Sequence, residues 1–228
     1  MKKFAIALVI LALAAPAFAV SPNVRIAQVY GGGGSSSATT YKQDYVVLFN
    51  ASGTDINISG WAIEYGSATG NWGSSTGNMF VFPADSWIAG CSYIMVGCGT
   101  VGTGGADFPI TPDYIQTAGP NISATTGKVG LFNLVNSNLA CGSETAGTLV
   151  DKVSFGTGNC PEGTNVAALS ITTGAVRNGN GTIDTDSNVA DFTVATAPVP
   201  MNRASGDWQC APVATENQTF GTLKAIFR

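Results

Sequence analysis

Short apolar runs, each closed off by a cluster of turn-forming residues, set the first limit on what this chain can fold into. VRIAQVYG (24–31), DYVVLFNAS (44–52), INISGWAIEYGS (56–67), MFVFPAD (79–85), SYIMVGCG (92–99), GKVGLFNLV (127–135) and TLVDKVSFG (148–156) follow one another, with stretches such as ASGTD, GNWGSSTGN and GTVGTGGAD between them. Several alternate with a period of two, as a strand with one buried face does. Val24 and Ile26 share a parity with Gln28 and Tyr30, and Trp61, Ile63 and Tyr65 share another. Tyr45 to Phe49 is apolar throughout and suits a strand covered on both faces. Ser59-Gly60 shifts the parity within 56–67, which predicts a bulge there. No window sustains a 3.6-residue period. Many short strands joined by Gly-rich turns read as an all-β sandwich or barrel. Beyond Gly156 the pattern fades into loop-like sequence, apart from a short apolar segment at 192–194.

The two ends differ from this middle. MKKFAIALVILALAAPAFAV has a basic start at Lys2 and Lys3, an apolar stretch, and Ala17-Phe18-Ala19 as a small-x-small cleavage pattern. It predicts a signal peptide at 1–19, cleaved after Ala19, and a protein that is secreted, periplasmic or at the cell surface. The next 186 positions, 20–205, suit a single β-domain, with a tail at 206–228. In that tail Phe220, Leu223 and Phe227 are spaced for one face of a short helix. Export implies an oxidising compartment, where cysteine pairs persist. Of the five cysteines, Cys91 and Cys98 flank a predicted strand and lie too far apart along it to pair. Cys141 and Cys160 flank TLVDKVSFG with turns on both sides, which allows a disulfide; two buried free thiols are the alternative. The pairing of Cys91, Cys98 and Cys210 stays open, and the odd number leaves one cysteine over in a monomer.

From Val24 to Ser205 the chain resembles a bacterial secreted lamin tail domain. The likeness is carried by the order of a first strand ending in glycines, DYVVLFN, INISGWAIEY, GKVGLFN, VDKVSFGTGNCPEG and DTDSNVADFTVATAPVPMNRAS. The resemblance implies an immunoglobulin-like β-sandwich and a non-catalytic module of a kind often found beside secreted hydrolases. Trp61 in SGW matches the family's tryptophan and is expected in the core. One departure is Val47, where the family's strand usually carries a glutamate, so any polar role of that position does not carry over.

Composition removes several chemistries. The chain has no histidine, so it holds no Ser-His-Asp triad, Cys-His dyad or imidazole metal site. The net charge of −4, more acidic still once Lys2 and Lys3 leave with the signal, argues against general binding to nucleic acid. VYGGGGSSSATT (29–40) invites a phosphate-cradle reading, yet no Lys-Ser or Lys-Thr follows the glycines and a strand stands where the helix would begin. It reads as a mobile connection, with contact to a partner as the sharper option. Asp184, Asp186, Asn188 and Asp191 bring hard oxygens together at short spacing and are candidate calcium ligands, without the EF-hand glycine or glutamate. Asx turns are the alternative. The remaining carboxylates, Asp44 and Glu64 among them, are scattered. No catalytic residue and no other cofactor is expected. The sequence therefore points to an exported, non-enzymatic binding or tethering module for an envelope or extracellular ligand, such as a glycan or a secreted hydrolase. A secreted carboxylate- or metal-dependent hydrolase and a purely structural surface component are the alternatives.

Overall fold

A computed structural model of the chain describes residues 23–144, 148–206 and 210. The predicted signal peptide and nearly all of the tail lie outside the described residues. Among the described residues run twelve strands: β1 (Val24–Tyr30), β2 (Asp44–Asn50), β3 (Ile56–Asn57), β4 (Ala62–Gly66), β5 (Met79–Val81), β6 (Trp87–Ile88), β7 (Tyr93–Cys98), β8 (Tyr114–Gln116), β9 (Gly127–Phe132), β10 (Leu149–Phe155), β11 (Thr173–Arg177) and β12 (Phe192–Thr196). They form a six-stranded sheet in the order β12-β11-β1-β2-β7-β8, a four-stranded sheet β10-β9-β4-β5, and the pair β3-β6. All pairings are antiparallel except β7 with β8. The architecture is the all-β immunoglobulin-like sandwich expected. No described helix is long and apolar enough to cross a membrane.

Alternation along β2 decides how the layers stack. Val46 and Leu48 point into the core between the two large sheets, where they meet Val129, Leu131 and Val153. Tyr45, Val47 and Phe49 point the other way, into a second apolar layer with Tyr30, Tyr93 and Met95. All seven residues of β2 are buried, as its unbroken apolar run requires. The outer layer is roofed by Phe108 and Ile110 and by the chain after β12, which brings Met201 and Cys210. Tyr41 and Tyr45 both donate their hydroxyls to Pro198 O, each at 3.1 Å. Gln28 donates to Val199 O at 3.2 Å. Residues 198–206 thus act as a strap across this face. Val47, where the family carries glutamate, sits fully buried beneath it.

Three expectations are revised. The pairing of β1 with β2 slips between Ile26 and Gln28, so Val29 rather than Tyr30 continues the inward parity of Val24 and Ile26. The parity shift at Ser59-Gly60 is a full break rather than a bulge: Gly60 has φ +74° and the chain passes there from the β3-β6 pair into the four-stranded sheet. Trp61 packs against the main core, partly buried. Residues 156–191 are not all loop, because β11 pairs with β1 near the centre of the six-stranded sheet. Its residues, TGAVR, place little apolar bulk in the core, so the strand leaves almost no periodic signal.

Candidate binding surface

At one end of the sandwich the glycine-rich connection between β1 and β2 is packed, not loose. Gly33 N–H donates to Asp44 Oδ1 at 2.6 Å, and Ile122 N–H donates to Asp44 Oδ2 at 2.7 Å. A Cβ on Gly34 would lie 2.4 Å from Gly102 Cα, so the glycines allow two backbones to touch. Two reasons for the glycines coincide: Gly32 and Gly34 hold φ of +77° and +67°, and the backbones approach closely. Asp44 is the organising group, and burial pushes its carboxyl up to about 7. Beside it lies a cleft of about 150 Å³ lined by Lys42, Gln43, Val101, Ala106, Asp107 and Phe108. Pockets for drug-sized ligands run to roughly 300–1,000 Å³, so this cleft admits a small group at most. Its ion pair, Lys42 Nζ to Asp107 Oδ1 at 3.0 Å, is open to solvent and contributes little.

At the sandwich edge where β1, β10 and β11 meet, Arg177 gathers the acidic groups. Its Nη2 donates to Asp151 Oδ2 at 2.7 Å and its Nε to Ile26 O at 2.8 Å. Nη1 lies 3.3 Å from Asp184 Oδ1 and 3.7 Å from Asp191 Oδ2, and the guanidinium covers the Phe192 ring at 4.4 Å. Asp184 also faces Arg25 Nε at 3.2 Å. Asp151 stands on the four-stranded sheet and Arg177 on the six-stranded one, so the cluster ties the sheets together. This places three of the four candidate calcium ligands. Asp184 and Asp191 neutralise an arginine that sequence spacing did not reveal. Asn188 turns inward, its Oδ1 accepting from Ser154 N–H at 2.9 Å and Glu162 N–H at 3.2 Å. Asp186 has φ +55°, and burial together with the charges of Asp184 and Asp191 raises its carboxyl above the ordinary value. Asp191 also accepts from Thr185 N–H at 3.0 Å and from Thr185 Oγ1 at 2.7 Å. Among the described residues, the three aspartates do not bring oxygens within 4.8 Å of one another as a set.

Cys141 and Cys160 form a disulfide with Cα atoms 5.6 Å apart, closing over the outer face of the four-stranded sheet beside Trp72. Cys91 pairs with Cys210 at 5.4 Å, which pins the strap, and Cys98 is the buried free thiol.

The exposed chemistry collects at the opposite edge, where β5 and β8 end their sheets. Gln116 Nε2 donates to Met79 O at 2.8 Å and holds the two edges together. Arg203, in the strap, donates from Nη2 to Trp87 O at 2.9 Å and to Tyr114 Oη at 3.1 Å, with its guanidinium 5.5 Å from the Tyr114 ring centre. Tyr114 donates to Ser86 Oγ at 3.1 Å. Trp87 is 49 % exposed, and Ile115 on β8 is 59 % exposed. A guanidinium tied to the main-chain carbonyl of an exposed tryptophan offers a hydrogen-bond fork, and the indole a flat apolar face. Sequence reasoning passed over Trp87, Tyr114, Arg177 and Arg203. ADSWIAG, a tryptophan in a short turn-bounded run, was the available signal for the first.

A family model described as Lamin Tail Domain matches residues 18–173. It stops where β11 starts, so Arg177 and the strap lie beyond it. A crystal structure of a DUF4876 family protein from Bacteroides thetaiotaomicron VPI-5482 is similar with a TM-score of 0.55 and 14 % identity, over 83 % of this chain and 74 % of that one. That likeness concerns the fold. No curated protein matches the chain.

Proposed function

The chain belongs to the lamin tail domain family, and we propose that it is an exported, non-enzymatic module that binds or tethers a ligand at the cell envelope or outside the cell. The observation that carries this reading is the exposed Trp87, set beside the anchored Arg203 and Tyr114 on the edge of a rigid sandwich. Exposed tryptophan and arginine are the residues that most often dominate binding energy. The buried carboxylates, by contrast, are engaged within the fold: Asp44 by backbone N–H groups, Asp151, Asp184 and Asp191 by Arg177. Two disulfides suit an oxidising compartment, and the leader-like N-terminus supports export. The ligand class favoured is a polymer with flat apolar and polar faces, such as an envelope glycan.

The test is a screen of the mature protein against envelope polysaccharide, peptidoglycan and extracellular DNA, repeated with Trp87→Ala. Retention on a glycan, weakened about tenfold or more by the substitution, is expected. Retention on none of the three would leave a purely structural surface component as the better account. Equal binding by both proteins would move the site away from Trp87.

A further inference from the structure

Lys128, on β9, is fully buried although it is a lysine. Its ammonium has no carboxylate hydrogen-bond partner among the described residues. It donates to Ser67 O at 3.3 Å, to Gly70 O, and to Asn159 Oδ1 at 2.6 Å. It also lies 5.2 Å from the centre of the Trp72 ring. The stem passes close over Gly66, where a Cβ would lie 2.8 Å from Lys128 Cε, so only glycine leaves it room there. Asn159 is fixed from its own side: its N–H donates to Ala68 O at 2.8 Å, and the next residue is the bridged Cys160. An amine nitrogen held this close to a side-chain carbonyl is within reach of the carbonyl carbon, and such fixed proximity replaces much of the entropic cost of a reaction between two free groups.

We propose that Lys128 and Asn159 are the site of an intramolecular isopeptide cross-link. The Lys128 Nζ–Asn159 Cγ bond forms, the Cγ–Nδ2 bond breaks, and the amide nitrogen leaves as ammonia. Two protons leave Nζ in all: one is lost first to give the neutral amine, the second passes from Nζ to the leaving nitrogen as the new bond forms, and the ammonia departs with the first proton as ammonium. No oxidant, reductant or external reactant is needed. Glu144 is a carboxylate whose charge acts on Lys128, and it accepts from Trp72 Nε1 of the indole that Lys128 overlies, at 2.5 Å. Burial holds the lysine below its ordinary value, which eases the loss of the proton. Asn159 is buried on the lysine side but exposed on the other, which gives ammonia a way out. The cross-link would join β9 to the segment just after its neighbour β10.

The test is intact-mass spectrometry of the purified, folded protein, followed by peptide mapping. The expected result is a mass lower by one ammonia than the chain with two disulfides, and a branched peptide joining Lys128 to Asn159. Asn159→Ala, at an exposed position that leaves the core intact, should remove the branched peptide and the mass deficit. The full mass with both residues in linear peptides would overturn the proposal. So would an ammonia loss confined to one linear peptide, as a succinimide at Asn159 would give.

Discussion

Arg177 shows how much one unremarked residue can decide. Its guanidinium has no solvent contact and serves three aspartates. Removing one partner of a buried ion pair leaves uncompensated charge and costs about 3–5 kcal/mol. Arg177→Met should therefore lower the urea midpoint by that much stability or prevent folding, whereas Lys42→Met, at an exposed pair, should change it by less than about 1 kcal/mol. Asp44 gives a second test, through pH. Its folded value of about 7 stands above the ordinary 3.8, so between those values the folded protein holds a proton that the unfolded chain has released. The stabilisation is complete below about pH 4 and is lost as pH rises through 7. Glu162, raised by burial from 4.5 to about 9, acts in the same direction over a higher range. Thermal melts from pH 4 to 8 should show a smaller decline for Asp44→Asn than for the parent protein; parallel curves would exclude the assignment. Neither residue was legible as a hub in the sequence. Both gain their partners from distant segments, Ile122 for Asp44 and Asp151 for Arg177.

At the level of elements, legibility followed apolar bulk. β2, β7 and β9 fill their layers with large side chains, and their runs were read directly. β11 holds its place through backbone pairing and the Arg177 cluster, so hydrophobic pattern had nothing to report. The strap carries polar contacts through main-chain carbonyls, Pro198 O and Val199 O, which sequence composition does not display. The Cys141–Cys160 pair was readable because turns flank one strand. Cys91–Cys210 joins residues 119 apart and depends on the strap. In the chain-entropy account a disulfide stabilises more when it closes a longer loop, about 3 kcal/mol for short loops and nearer 5 for long ones. Removing Cys91–Cys210 by paired serine substitution should thus cost roughly 1.5 kcal/mol more than removing Cys141–Cys160, measured by urea denaturation. Hydrogen exchange should quicken in 198–206 in the first variant and stay slow there in the second.

The molecule as a whole is two sheets with a roof on each outer face, and its second disulfide has a mechanical consequence. Force applied at Asn23 and at Cys210 travels along the chain from β1 to β6 and then leaves the polypeptide path at Cys91, crossing directly to Cys210. The chain between them, at a sequence separation of 119, is shunted out of the load. At about 3.3–3.6 Å per extended residue, roughly 400 Å of contour length is withheld. Single-molecule pulling between those points should release only the length of residues 23–91 under oxidising conditions, and the withheld length should appear once a dithiol is added. A protein built this way yields only a short distance under tension, because the loop that the disulfide closes cannot extend.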